Sequence, residues 1–400
     1  MGMTDTPRAN RLHIGLFGRR NSGKSSLLNA LVGQSVATVS DVAGTTTDPV
    51  YKAMEFHGIG PVVFVDTAGF DDEGSLGDLR VEKTRDASKS IDMALLFFDG
   101  EDMEEELSWL KSLKGGKTAV IPVISKADQR PDGGMSLAAA VKEAVGKEPV
   151  LVSAREGTGL EILRGELIRC LPEDYEGESI TGNLCDSGDL VLLVMPQDIQ
   201  APKGRLILPQ VQTLRELLDK KCVVMSCTTD MLENTLACLS KPPRLMITDS
   251  QAFRTVYDKK PKESLLTSFS VLFAHYKGDI RYFIDSAERL SSLSQDSRIL
   301  IAEACTHRPL EEDIGRVKLP RLLRKKLGEA LEIDFVSGRD FPEDLSPYDL
   351  VIHCGSCMFN RRYVLNRVEQ CRRQGKPMTN YGVAIAALLG ILDHVGIPEG

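Results

Sequence analysis

The sequence predicts an α/β chain of three consecutive blocks, and three observations predict it. Over residues 11–172, short apolar runs alternate with helical patterns. The stretch GRRNSGKS, Gly18–Ser25, falls between the first apolar run and the first helical pattern. After an acidic, turn-rich segment at residues 171–189 the alternation resumes twice. The last block contains YDLVIHCGSCMFNRR, which sets His353, Cys354 and Cys357 directly behind a strand-like run.

In the first block the runs LHIGLFG, PVVFVDTAG, MALLFFDG, AVIPVISKAD and PVLVSA are continuously apolar, as strands buried on both faces of a parallel sheet must be. KSSLLNALVG and SLAAAVKEAVG lie between them as helical patterns, the second closed by Gly146. This is a doubly wound domain. In the second block LVLLVMP and RLILP precede the helix QVQTLRELLDKK. CVVMSC, a helix near MLENTLACL, and RLMITDS follow. This block shows no cluster of catalytic residue types, and its apolar strands with little polar relief suit a dimer interface. The next boundary is expected near residues 257–266. The third block carries the helical patterns LLTSFSVLFAHY, IDSAERLSSL and LPRLLRKKLGEAL, the strands EIDFVSG and YDLVIHC, and an apolar C-terminal helix.

Composition narrows the function. The 400 residues carry a net charge of −8, which disfavours general binding to nucleic acid or to an anionic membrane. The polar start MGMTDTPRANR reads as no secretion leader, and GVAIAALLGIL is too short to span a bilayer. A cytoplasmic location is expected, where the nine cysteines stay thiols or bind metal. The basic cluster Arg321, Arg324, Lys325 and Lys326 has helical spacing and reads as a solvated face.

GRRNSGKS fits G-x-x-x-x-G-K-[ST] in the strand-to-helix setting that gives this motif its meaning. Gly18 and Gly23 permit the turns, and the loop backbone through Asn21, Ser22 and Ser26 faces phosphates at a helix N-terminus. Lys24 reaches the β- and γ-phosphates, and Ser25 offers a hydroxyl to Mg²⁺. DTAG, Asp66–Gly69, ends the next buried strand, where a carboxylate can hold the Mg²⁺ shell and the Gly69 N–H can meet the γ-phosphate. GTTTDP, Gly44–Pro49, supplies a threonine for the metal: Thr46 is the choice, with Thr45 and Thr47 as alternatives. SKAD, Ser125–Asp128, and SAREG, Ser153–Gly157, follow the fourth and fifth strands.

In order and spacing these segments resemble the translation-factor-like GTPases, in particular their TrmE and Era branch. The resemblance implies GTP as ligand, with Asp128 on the guanine edge, Lys126 packed on the base, Ala154 at O6 and Ser153 beside it. Ser125 departs from the family's Asn, which should weaken nucleotide binding. Phe70 follows DTAG where Ras-like proteins carry a water-positioning Gln, so slow hydrolysis is expected. Asn21 holds the position at which TrmE-like GTPases bind K⁺ against the phosphates; the plainer alternative is that Asn21 suits a turn.

The closing Cys/His stretch has a counterpart in EACTHRP, with Cys305 and His307, so the pattern is C-x-H, 45 residues, then H-C-x-x-C. A thioredoxin-like dithiol, a structural zinc site and an iron–sulfur site all remain open on ligand type. A bare dithiol would not need Cys305 and two histidines. Cys170, Cys185, Cys222, Cys227, Cys238 and Cys371 lie singly in apolar or helical patterns and read as buried.

Joined to a TrmE-like GTPase domain, this pattern resembles the HydF family of iron-only (FeFe) hydrogenase maturation GTPases, over all three blocks. APKGRLILPQVQ (201–212) and FVSGRDFP (335–342) add to the likeness. The resemblance implies a P-loop GTPase domain at 1–172, a small α/β dimerisation domain at 173–262 and a C-terminal α/β iron–sulfur cluster domain at 263–400. It implies a 4Fe–4S cluster on Cys305, Cys354 and Cys357, with His307 and His353 as candidate or exchangeable ligands. The partners it implies are two radical-SAM maturases, which build a two-iron unit, and the apo-hydrogenase that receives it, with a homodimer as the working form. The competing expectation is a TrmE/Era-like GTPase of tRNA modification or ribosome assembly with a structural zinc site.

Overall fold

In the computed structural model the described residues are 11–34, 40–42, 49–69, 75–172, 179–196, 206–303, 314–338, 340–356 and 359–399. The chain divides into two units, Met1–Glu176 and Gly177–Gly400.

The first unit runs β1 (Leu12–Phe17), α1 (Lys24–Gln34), β2 (Ser40–Val42), β3 (Val50–Phe56), β4 (Gly60–Asp66), α2 (Ser75–Ser88), β5 (Met93–Phe97), α3 (Glu104–Gly115), β6 (Ala119–Ile124), α4 (Met135–Val145), β7 (Val150–Leu151) and α5 (Leu160–Arg169). Its seven strands lie in the order β2-β3-β4-β1-β5-β6-β7. The five apolar runs form the parallel strands β4, β1, β5, β6 and β7, and β1 is buried along its whole length. Two cores cover the two faces, one around Ile14, Leu28 and Phe64 and the other around Phe17, Ala94 and Val141.

The sheet is not parallel throughout, as the sequence reading expected. β3 pairs antiparallel with β4 and carries β2 on its outer side. β3 escapes a search for apolar runs because it is exposed at Val50 and Glu55 and half-buried at Lys52, so polar residues interrupt it.

The second unit holds two four-stranded sheets. The first is built from β8 (Leu190–Val194), α6 (Leu208–Asp219), β9 (Val223–Cys227), α7 (Leu232–Ala237), β10 (Leu245–Thr248), α8 (Phe253–Lys259) and β11 (Leu265–Ser268). Its strands are all parallel, in the order β11-β10-β8-β9. RLILP forms no strand in its described part: Leu208 opens α6, where Pro209 fits because the first-turn N–H groups have no intrahelical partner. LLTS is a strand rather than the start of a helix. Ser268 ends β11 and caps α9 (Phe269–Lys277), its hydroxyl accepting the Val271 N–H.

The second sheet follows α9 and α10 (Ile280–Glu288). It comprises β12 (Arg298–Glu303), α11 (Leu319–Leu327), β13 (Glu332–Ser337), β14 (Leu350–His353), α12 (Arg361–Arg373), β15 (Met378–Asn380) and α13 (Tyr381–Leu388). These strands are also parallel, in the order β13-β12-β14-β15. One hydrophobic core joins the two sheets, running from Leu192, Met246 and Leu266 to Ile299, Ile301 and Ile352. Among the described residues no helix is long and apolar enough to cross a membrane.

Candidate functional sites: a phosphate loop and a cysteine-bearing switch point

The loop between β1 and α1 is drawn tight by contacts only glycine allows. A Cβ on Gly18 would stand 2.7 Å from the Phe97 Cβ, and one on Gly23 2.8 Å from the Ser125 hydroxyl. Gly23 has φ +90° and Asn21 φ +58°, so the loop takes the left-handed turns that point successive N–H groups inward. Lys24 is buried, its ammonium donating to the carbonyls of Gly18 at 2.8 Å and Arg19 at 2.7 Å. That places the cation on the loop where phosphate oxygens would arrive.

The Ser25 hydroxyl donates to the Asp66 carboxylate at 2.6 Å. The sheet register explains the meeting, because β1 and β4 are parallel neighbours and Leu16 stands opposite Asp66. Burial raises the Asp66 carboxyl above its ordinary range, against the lowering effects of Ser25, Lys24 and Lys52. A hydroxyl and a carboxylate are oxygen donors of the kind Mg²⁺ takes. Thr67 anchors the DTAG turn, its hydroxyl donating to the Leu16 carbonyl at 2.5 Å. Gly69 is buried at the end of the turn. Thr45, Thr46, Thr47 and Phe70 lie outside the described residues.

Ser125 and Lys126 lock the base-side segment to the phosphate loop. The Ser125 hydroxyl donates to the Ser22 carbonyl, and the Lys126 ammonium to the Asn21 carbonyl. Ser125 thus keeps a loop-bracing bond despite its short side chain, and its hydroxyl is packed against Gly23. The Ala127 N–H donates to Val152 O at 3.1 Å, which brings Asp128 and the Ser153–Ala154 turn to one edge. In that turn the Ser153 hydroxyl accepts the Glu156 N–H at 3.1 Å.

The second site stands at the carboxyl ends of β12 and β14. These are adjacent parallel strands with Ala302 opposite His353, and the Cys354 N–H donates to Ala302 O at 3.0 Å. β12 is followed through α11 by β13 on one side, and β14 through α12 by β15 on the other. Neighbouring strands whose connections diverge leave a crevice beyond their carboxyl ends, the usual ligand position of an open α/β sheet. The segment carrying Cys305 and His307 starts from one strand and H-C-x-x-C from the other. Cys305, His307 and Cys357 lie outside the described residues. Among the described residues no group of three or more potential ligands is close enough to hold a metal.

His353 is 1% exposed. Its Nε2 is 2.6 Å from an Arg367 guanidinium nitrogen, and its Nδ1 is 2.8 Å from the Cys354 carbonyl and 3.0 Å from the Ser356 hydroxyl. A guanidinium only donates, so Nε2 is the acceptor and Nδ1 carries the proton. Burial, and then the Arg367 charge, push the imidazole down to about 3. His353 can offer Nε2 to a metal only if Arg367 moves away. Arg367 was not singled out in the sequence, where it is one of five arginines in α12. Its spacing held a signal, since Tyr363, Val364, Val368 and Cys371 are the buried stripe of that helix and Arg367 falls within it.

Of the cysteines read as buried, Cys185, Cys222 and Cys371 are so, and Cys170 and Cys227 are half-buried. Cys238 is exposed, because it caps the short helix α7 outside its apolar face.

Comparison with known proteins agrees with this layout. Residues 13–126 match a family described as 50S ribosome-binding GTPase. Residues 180–278 match the hydrogen maturase F dimerization domain and residues 281–396 the hydrogen maturase F tetramerization domain, together more than half of the chain. The chain belongs to the hydrogen maturase F (HydF) family. Its GTPase domain is of the TrmE/Era kind. HydF membership also carries self-association, since both matched C-terminal families are assembly domains.

Curated relatives match the GTPase domain. The tRNA modification GTPase MnmE of Porphyromonas gingivalis is 33% identical over 174 residues, covering 42% of this chain and 36% of the relative. MnmE of Azoarcus sp. is 35% identical over 172 residues, covering 42% and 37%. GTPase Der of Wolinella succinogenes is 35% identical over 169 residues, covering 40% and 35%. The chain thus spans little more than a third of the length of these relatives. Among solved structures, Era of Aquifex aeolicus bound to GDP.AlF4- is 21% identical with a TM-score of 0.35, covering 54% of this chain and 92% of that one. The G domain of the T. maritima FeoB iron transporter is 23% identical with a TM-score of 0.31, covering 40% and 98%.

Proposed function

We propose that the chain is a GTP-hydrolysing scaffold for FeFe hydrogenase maturation. It holds a 4Fe–4S cluster at the β12/β14 switch point, accepts a two-iron unit from two radical-SAM maturases and passes it to apo-hydrogenase. The observation that carries the reading is the register of β12 and β14, which starts both Cys/His segments from the same end of neighbouring strands. The donor chemistry fits, because thiolates are the usual ligands of iron–sulfur centres.

Cys305, Cys354 and Cys357 anchor the cluster, and His307 and His353 are the exchangeable candidates. When bound, a cluster with three thiolates offers one iron to a histidine, a water or the incoming two-iron substrate. Zinc on the same residues, in a GTPase of tRNA modification, is the competing reading. The match of residues 180–396 to the assembly domains of a hydrogenase maturase favours the scaffold.

In the first unit Lys24 and the loop N–H groups hold the phosphates of GTP, and Ser25, Asp66 and Thr46 hold Mg²⁺. Gly69 meets the γ-phosphate, and Asp128, Lys126 and Ala154 hold the guanine. Asn21 takes K⁺, which supplies the charge an arginine finger would. With Phe70 in place of a water-positioning Gln, hydrolysis is slow. The nucleotide state sets partner exchange. The test is hydrolysis with Mg²⁺ in KCl and in NaCl: faster turnover in K⁺ supports the Asn21 role, and equal rates remove it.

A further inference from the structure

Two buried cations close on the turn that carries Cys354. Arg367 of α12 is 3% exposed, and Lys277 of α9 is 2% exposed. The Lys277 ammonium donates to the carbonyls of Ser356 at 3.0 Å and Phe359 at 2.8 Å, on either side of Cys357 in sequence. Ser356 itself sits at φ +52°, with its N–H 3.4 Å from the Cys354 sulfur.

Arg367 is spent on neutral groups. Besides His353, it donates to the Gly338 carbonyl at 2.7 Å and the Tyr363 hydroxyl at 2.8 Å. Its Nε is buried without a partner, and among the described residues no carboxylate pairs with it. The rings of Phe341 and Tyr363, each 4.6 Å from the guanidinium carbon, and of Phe359, at 5.8 Å, offset part of the desolvation. They bring no full negative charge. A guanidinium removed from water without a counter-ion is strongly disfavoured, so its place in the fold calls for an anion. The sequence offers one beside His353, in the thiolate of Cys354.

We propose that Arg367, assisted by Lys277, is the counter-charge of an anionic thiolate-bound metal–sulfide centre at the Cys354 turn, and that it sets the electron affinity of that centre. The proposal rests on the cluster reading above. A thiolate-ligated cluster gains one negative charge on reduction, and net charge and hydrogen bonding to the sulfurs set its potential. A buried cation beside it therefore favours the reduced form. Arg367 is a positioning and tuning residue, not a ligand.

The test is an EPR-monitored redox titration of the full-length chain, purified anaerobically, with iron and sulfide content measured on the same samples. The variants are Arg367→Lys, Arg367→Met and Lys277→Met. Arg367→Met should move the potential to more negative values, shifting the reduced-to-oxidised ratio at a fixed potential about tenfold (59 mV for one electron). Arg367→Lys should keep most of the wild-type potential. If Arg367→Met retains no cluster, the shift is read from Lys277→Met against Arg367→Lys. Wild-type potential in every cluster-bearing variant overturns the proposal. Wild-type protein with zinc and no sulfide overturns the cluster reading itself, an outcome visible before any variant is compared.

Discussion

Asp66 shows how the fold sets the protonation of the carboxylate proposed to hold Mg²⁺. Burial raises its carboxyl, so in the ligand-free protein a proton competes with Mg²⁺ there more strongly than at an exposed aspartate. Apparent Mg²⁺ affinity should therefore weaken on acidification sooner than that of an exposed carboxylate site, a dependence that Asp66→Asn should abolish together with tight Mg²⁺ binding. Isothermal titration across pH with a GTP analogue measures it. His353 carries the opposite sign of linkage. Its imidazole is depressed to about 3, so the folded state holds fewer protons than the unfolded chain below the ordinary histidine value of about 6.5. The metal-free protein should lose stability as pH falls from about 6.5, by up to about 1.4 kcal/mol per pH unit from this group. Denaturant unfolding of the second unit at stepped pH would show it, and His353→Gln should flatten the slope.

Elements were legible in the sequence to the degree that burial wrote them there. β1, β4, β5 and β6 are near-continuous apolar runs because a core covers each face of the sheet, and each was readable. β3 was not, because its exposed positions break the run, and β11 was not, because it is four residues long and Ser268 is both its last residue and the cap of α9. The nucleotide site was readable because its function depends on local spacing around Gly18, Lys24 and Asp66. Arg367 was not, because its importance comes from packing under His353, fourteen residues away in sequence. At this scale β9 carries a prediction. It is an edge strand of its sheet, and Val223 and Met225 on it are exposed, as are Val211 and Leu218 of α6. An apolar edge of this kind invites pairing with another chain. Val223→Lys with Met225→Lys should lower the assembly state of the full-length chain in sedimentation velocity while leaving GTP hydrolysis within about twofold, since a surface change away from the site costs little. An unchanged sedimentation profile would move the interface elsewhere.

At the scale of the whole molecule, the phosphate loop and the Cys354 turn belong to different units of one chain. Residues 13–126 match a GTPase family, and residues 281–396 an assembly domain of a hydrogenase maturase. Lys24→Ala should therefore abolish hydrolysis with iron content unchanged, because the cation it removes sits on the phosphate loop of the first unit. The cysteine-bound iron–sulfur cluster proposed for the β12/β14 switch point is tested by metal analysis after anaerobic purification. Iron, acid-labile sulfide and zinc should be measured in wild-type protein and in Cys305→Ser, Cys354→Ser and Cys357→Ser, with absorption near roughly 400 nm and GTPase rate taken on the same samples. The wild-type protein should be brown with iron and sulfide, each cysteine variant should lose most of the iron, and all should retain GTPase activity. A colourless wild type holding one zinc and no sulfide, or a cysteine variant with full iron, would contradict the proposed cluster.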